Sequence, residues 1–176
     1  MMALDFRLVD NETILLGIDP GLDTTGYAVL SSTRDGASVI EGGTICTNHK
    51  IPLPDRLAEL FLGLEEILAQ FQPFSMGIEQ VFSHFTHPGT VITMAHARGV
   101  LLLAAARSKT TVKHFLPTKV KKCLTGSGRA GKLKVQRAVA IELGLNCIPD
   151  PPDVADAMAV AFCLHQTRLF ELRVGQ

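Results

Sequence analysis

The chain has 176 residues, 47% of them hydrophobic, with 17 basic and 17 acidic side chains and a formal net charge of zero. That length suits one domain with a real core, and no apolar run approaches the roughly 20 residues a membrane helix needs. The start carries Asp5, Asp10 and Glu12 and no basic stretch before an apolar one, which excludes a secretory signal.

Residues 1–12 are expected to form a short flexible leader, 13–170 a single domain and 171–176 a tail. Thr13–Asp19 holds a continuous apolar run and predicts a strand buried on both faces. Gly21 and Gly26 bracket a turn, and Tyr27–Ser32 returns as a second strand. Arg34-Asp35-Gly36 is a hairpin signal, and Ser38–Cys46 makes the third strand. Pro52 and Pro54 open a helix with Leu57, Leu60, Phe61, Leu64, Ile67 and Leu68 at helical spacing, and Gln72-Pro73 stops it. Ser75–Glu79 is the fourth strand, Thr90–Arg107 the second helix and Thr111–Leu116 the fifth strand. Pro117–Leu124, Gly131–Leu143 and Val154–Leu169 predict three further helices, with a glycine-rich loop at Gly126–Gly131. Cys46, Cys123, Cys147 and Cys163 lack metal-type spacing. Reduced thiols in a cytoplasmic protein are the expectation.

The zero net charge hides a strong segregation. Residues 1–79 carry four Lys/Arg against twelve Asp/Glu, residues 80–141 eleven against none, and residues 142–176 two against five. A single basic run is usually a solvated face. Sixty-two residues without one carboxylate point instead to a phosphate-binding surface.

Four carboxylates stand at the ends of apolar elements. Asp19 follows Ile14–Ile18, Glu79 follows Met76–Ile78, and Asp153 and Asp156 precede Ala157–Ala161. Such placements are costly unless something cationic meets them. Each has an ordinary alternative: an Asx turn for Asp19, a solvated strand end for Glu79, a helix N-cap for Asp153. Drawn together from three distant points, they suggest hard divalent ions on oxygen ligands. Two Mg²⁺ about 3.5–4 Å apart hydrolyse phosphodiesters, and Mn²⁺ is expected to substitute. Asp19 is the candidate bridging ligand, with Glu79 on one ion and Asp153 and Asp156, three apart on one helix face, on the other. Lys132 follows the glycine-rich loop and is a candidate to reach the phosphate; a solvated helix-start lysine is its equal alternative. Phe82, near His84, Phe85 and His87, is either a core residue or an exposed aromatic on which bases stack.

The order of three meandering strands, helix, strand, helix, strand and terminal helices is that of the ribonuclease H-like fold, an α/β architecture with a five-stranded mixed sheet flanked by helices. From Leu15 to about Gln166 the chain resembles the RuvC-type Holliday junction resolvases. The motifs are Gly17-Ile18-Asp19-Pro20-Gly21 with Thr25-Gly26-Tyr27, Ile78-Glu79-Gln80-Val81-Phe82, Ala97-Arg98-Gly99, Lys121 with Gly126–Lys132, and Asp153-Val154-Ala155-Asp156-Ala157. The resemblance implies an Mg²⁺-dependent endodeoxyribonuclease that resolves four-way DNA junctions. It implies a homodimer that partners with a RuvA–RuvB-type branch-migration complex and has no membrane role. It makes Asp19, Glu79, Asp153 and Asp156 the metal-binding acids, Lys121 and Lys132 basic residues of the active-site rim, and Phe82 an aromatic for unstacked bases. Arg98, Lys119, Lys122, Arg129 and Lys134 are further candidate DNA contacts. Departures from the family pattern are Asp23 and Thr24 where a basic residue is common, the loop His84–Thr90, and His96 before Ala97-Arg98-Gly99.

Two other functions compete with this one. A non-catalytic nucleic-acid-binding relative of the same fold is disfavoured because four carboxylates would repel phosphate. An actin-like or sugar-kinase ATPase needs a second domain and an adenosine motif, which this chain lacks. Two nicks of like polarity in a near two-fold junction call for two chains. Val100–Ala106 is apolar nearly all round and is the expected dimer contact, with Leu102 or Leu103 facing the partner.

Overall fold

The computed structural model describes residues 12–80 and 88–175. The leader up to residue 11 and the segment 81–87, with Phe82, lie outside the described residues. In chain order the elements are β1 (Thr13–Asp19), β2 (Thr24–Ser32), β3 (Ala37–Cys46), α1 (Leu53–Phe71), β4 (Ser75–Glu79) and α2 (Pro88–Arg107). They continue with β5 (Thr111–Phe115), α3 (Pro117–Thr125), α4 (Lys132–Glu142) and α5 (Pro152–Val174). The sheet order is β3-β2-β1-β4-β5. β1 runs antiparallel to β2 and parallel to β4, so the sheet is mixed and β1 is central. This is the ribonuclease H-like architecture expected from the element order.

Local chemistry sets most boundaries. α1 has Pro54 in its first turn, and its end is closed by Gln72 in the left-handed region, φ 44°, whose N–H donates to Leu68 O. Pro73 then forbids continuation. α3 opens on Pro117 and closes on Gly126 at φ 74°. β2 starts at Thr24, three residues before Tyr27. The polar stretch there reads as a turn, yet Thr25 is buried and its hydroxyl donates to Gly21 O. α5 starts at Pro152 and reaches Val174, five residues beyond Leu169, so 171–174 are helical.

Two apolar layers sandwich the sheet. α1 and α2 cover one face with Leu60, Leu64, Leu101 and Ala105 over Leu16, Ile18, Met76 and Ile78. α5, flanked by α3 and α4, covers the other over Leu15, Ala28 and Leu30. The charge asymmetry follows the layers: Asp55, Glu59, Glu65 and Glu66 lie on α1, while Lys119, Lys121, Lys122, Lys132 and Lys134 lie on α3 and α4. Gly89–Arg107 of α2 is long and apolar enough to cross a membrane by length and composition. Its middle, however, carries Arg98, bonded to Glu79 O and His114, and Ala97, Leu101, Ala104 and Ala105 are buried in the core. Those bonds and that packing tie the helix to the sheet, while Ile92 and Leu103 on it stay exposed.

α5 comes unusually close to the sheet. A Cβ on Gly17 would lie 2.3 Å from Ala157 O and 2.5 Å from Ala161 N, and one on Gly26 would lie 2.1 Å from Asp153 O. These are backbone atoms and cannot swing aside. Gly17→Ala must therefore push α5 away, at about 3 kcal/mol or more, and Tm should fall by roughly 5–10 °C. Gly36→Ala, where nothing lies within 4 Å, should change stability by less than about 0.5 kcal/mol. Equal melting of the two variants would refute the close-approach account.

Candidate active site

Side chains alternate along a strand, and that periodicity aims the acids. Gly17 and Gly77 face α5, the latter against Val160 and Leu164. Two residues on, Asp19 and Glu79 point to the same face. The parallel register pairs Gly17 with Gly77 and Ile18 with Ile78, so the two acids end adjacent strands side by side. Gly26, opposite Asp19 in the β1–β2 ladder, receives the start of α5 at Asp153. Asp156 lies one turn further along. The N-cap of α5 is Pro151, with no side-chain capping bond, so the capping alternative for Asp153 does not hold.

Asp19, Glu79, Asp156, Lys121 and Lys132 line one open cleft of ≈210 Å³, with Pro117, Val120 and Ala159 among its apolar walls. Asp153 is not in that lining, though its charge acts on Asp19. Burial, then repulsion from Asp156, Glu79 and Asp153, pushes Asp19 up to about 8 despite Lys132. Burial and Asp156 push Glu79 up to about 7, against Lys121 and Lys132. Among the described residues no three of these acids converge closely enough to hold one ion as they stand. Lys132 Nζ instead bonds Asp156 Oδ2 at 2.7 Å. The donor chemistry nevertheless fits hard divalent cations: oxygen donors only, partly buried and mutually repelling, on three rigid elements.

The cationic wall comes from α3 and α4. Lys119, Lys122, Arg129 and Lys134 are exposed, and Lys119 lies over the Phe115 ring, 5.0 Å from its centroid. Neither α3 nor α4 has a side-chain cap at its N-terminus, and the first turn of α4 carries Lys132 and Lys134. Cations at a positive helix end are unfavourable alone; a phosphate there would relieve them.

Arg98 is turned inward. Its Nε donates to Glu79 O at 3.3 Å and its Nη2 lies 2.6 Å from His114 Nδ1. It thus holds the end of β4, and with it Glu79. His114 escaped the sequence reading: its single signal is its place beside Ile78 in the β4–β5 ladder. Arg56, also unforeseen, pairs with Asp23 and donates from Nε to Thr47 Oγ1. The Asp23 carboxylate is thereby balanced from α1.

A family model described as "Crossover junction endodeoxyribonuclease RuvC" matches residues 15–165. A protein of that name from Rhodopirellula baltica is 49% identical over 151 residues, covering 86% of this chain and 85% of its own. Another, from Alkaliphilus metalliredigens, is 41% identical over 150 residues, 85% and 91% of the two chains. The Thermus thermophilus RuvC structure superposes with a TM-score of 0.79 at 29% identity, covering 92% of this chain and 96% of that one. The same protein in complex with Holliday junction substrate also matches with a TM-score of 0.79, at 26% identity. By the family match over residues 15–165 and by these relatives, the chain belongs to the RuvC family of crossover junction endodeoxyribonucleases.

Proposed function

We propose that this chain is a structure-selective endodeoxyribonuclease that resolves four-way DNA junctions by paired symmetric nicks during recombination and repair. The observation that carries the reading is one cleft in which Asp19, Glu79 and Asp156 meet Lys121 and Lys132, on the side of the sheet where the cations gather. Family membership supports it, as does the shared fold of a relative solved in complex with a Holliday junction. A purely binding role is disfavoured, because buried acids at the centre of a phosphate surface weaken binding.

Two Mg²⁺, with Mn²⁺ as substitute, suit the donor set and would be held by Asp19, Glu79, Asp153 and Asp156. Such ions activate water and neutralise phosphate oxygens when bound. The chain does the rest. Asp19 and Glu79 are fixed by strand ends, and Arg98 anchors the Glu79 carbonyl. Lys132, poised at Asp156, is a point charge for the oxyanion that develops at phosphorus. Lys119, Lys121, Lys122, Arg129 and Lys134 would follow the backbone of the arms, and Phe82 would stack on an unpaired base. A cytoplasmic location and a RuvA–RuvB-type partner belong to the same reading.

A homodimer through α2 completes it. Ile92 and Leu103 are 58% and 55% exposed on this helix. With His96, Gly99 and Ala106, also exposed, they recur at the spacing of a helix-pair seam. Nothing lies within 4 Å of a Cβ built on Gly99, so the chain itself has no need of a glycine there; a closely packed partner helix does. Leu102, partly buried against the core, faces inward.

Asp19→Asn should abolish cleavage of a synthetic four-way junction in Mg²⁺ or Mn²⁺ while leaving binding equal or tighter, since it removes a ligand and a charge that repels phosphate. Lys132→Ala should lower cleavage more than affinity. Wild-type nicking by Asp19→Asn would sink the assignment.

In the fold Asp19 and Glu79 keep protons up to about 8 and 7, against ordinary values of 3.8 and 4.5. Between these limits the folded chain binds more protons than the unfolded one, so its stability falls as pH rises and levels off above about 8. Without divalent metal, Tm should drop between about pH 5 and pH 8.5. Saturating Mg²⁺, by holding the ionised carboxylates, should shrink that drop. A metal-insensitive slope would refute the site.

Leu103→Glu should give a folded monomer that makes single, unpaired nicks. Sedimentation velocity and nicking of a supercoiled cruciform test this together. A dimeric variant, or a monomer that still makes both nicks in one encounter, would dismiss the interface.

A further inference from the structure

We propose that His114 is a positioning residue for the metal site: it fixes the Arg98 guanidinium, which clamps the peptide between Glu79 and Gln80 and so sets the Glu79 carboxylate in the cleft. Arg98 is thereby committed to the site's geometry and not to DNA. Glu79 as a metal ligand is the reading proposed above; the clamp itself does not depend on it.

The sheet stops supporting Glu79 on one side. The β1–β4 ladder ends at Ile18–Ile78, while the β4–β5 ladder runs on to Glu79–Phe115. A strand end paired on one side only can pivot about that side. Here the peptide after Glu79 is held at both of its polar atoms. Its N–H, that of Gln80, donates to Phe115 O at 2.8 Å. Its carbonyl, that of Glu79, accepts from Arg98 Nε at 3.3 Å.

Arg98 reaches this peptide from α2, across the sheet from the cleft. Its neighbours Ala97 and Leu101 are wholly buried and pack in one cluster with Ile78, so the arm starts from a fixed helix. The Glu79 carboxylate points the other way, into the cleft with Asp19, Asp156, Lys121 and Lys132. Arg98 is not in that lining. It acts on Glu79 through the backbone.

His114 decides where the guanidinium points. The β4–β5 register places it beside Ile78, and its Nδ1 lies 2.6 Å from Arg98 Nη2. A guanidinium only donates, so Nδ1 accepts, and the ring is neutral with its proton on Nε2. Burial and the Arg98 charge hold His114 below the usual histidine range, in the same sense. One planar fork thus meets two acceptors at once, which the compact ammonium of a lysine does not reproduce. His114 is exposed, so its removal leaves the core intact and changes the aim of Arg98.

The test uses the full chain with four readouts: Mn²⁺ binding by electron paramagnetic resonance, amide exchange at Gln80 by NMR, junction affinity in Ca²⁺, and cleavage in Mg²⁺. Residues that orient a metal's ligands are typically worth roughly 10–100-fold in metal affinity or activity. His114→Leu should speed exchange at Gln80, weaken Mn²⁺ binding about tenfold and lower kcat, with junction affinity and Tm unchanged. His114→Asn, whose side-chain oxygen stands where Nδ1 does, should restore all three. Arg98→Ala should act as His114→Leu does, more strongly. Loss of junction affinity with Mn²⁺ binding unchanged would make Arg98 a DNA contact and overturn the proposal. So would unaltered exchange at Gln80, or a His114→Asn variant as impaired as His114→Leu. If Glu79→Gln kept Mn²⁺ binding and cleavage, the proposed function would fail, and exchange at Gln80 would still decide the clamp.

Discussion

Everything at the site depends on how closely one helix can lie on a sheet. α5 meets β1 and β2 through bare backbone at Gly17 and Gly26, with no side chain between. That contact brings Asp153 and Asp156, far along the chain, to the end of the strand that carries Asp19. The rest of the core is arranged to keep it: Ala157 and Ala161 are small, and Val160 and Leu164 pack over Gly77 of the neighbouring strand. Buried Ser32 and His165, hydrogen-bonded at 2.7 Å, tie the far half of the helix to β2.

The cleft so formed is electrostatically unfinished. Burial and mutual repulsion hold Asp19 and Glu79 well above the usual carboxylate range, and one ammonium, Lys132, spans part of the deficit. A cluster in this condition gains from multivalent cations more than from further lysines, because each lysine brings its own stem and needs its own space. Restraint elsewhere has the same logic. Asp23, nearby in the chain, is matched by Arg56 and adds little to the repulsion.

Much of this was legible from residue order. β1 was bounded correctly because a run buried on both faces ends abruptly at a charged residue. The acids were legible because each breaks an apolar pattern, and the basic region because its residues are contiguous. What escaped had no local signal. Thr24–Gly26 reads as turn chemistry, and only pairing with Thr44–Cys46 makes it a strand. α5 is buried nearly all round from Val154 to His165, so periodicity could not say which face meets the sheet. Nothing local to Arg98, a candidate nucleic-acid contact by sequence, announces its bonds to a backbone carbonyl and to a histidine 16 residues away. The failure of Asp19, Glu79 and the helix acids to close on one point is likewise a property of three dimensions.

The layering of charge has a consequence for kinetics. The acidic side chains of α1 and the lysines of α3 and α4 lie on opposite faces of one thin sheet, so a molecule of zero net charge carries a large dipole moment. A neutral sphere feels no pull toward a polyanion, but a dipole feels a torque. The chain would turn its lysines toward DNA before touching it, raising the fraction of collisions that arrive cleft-first. Because the opposite pole is repelled, such a molecule does not coat duplex indiscriminately. It can leave ordinary helix readily and linger where several phosphate backbones converge.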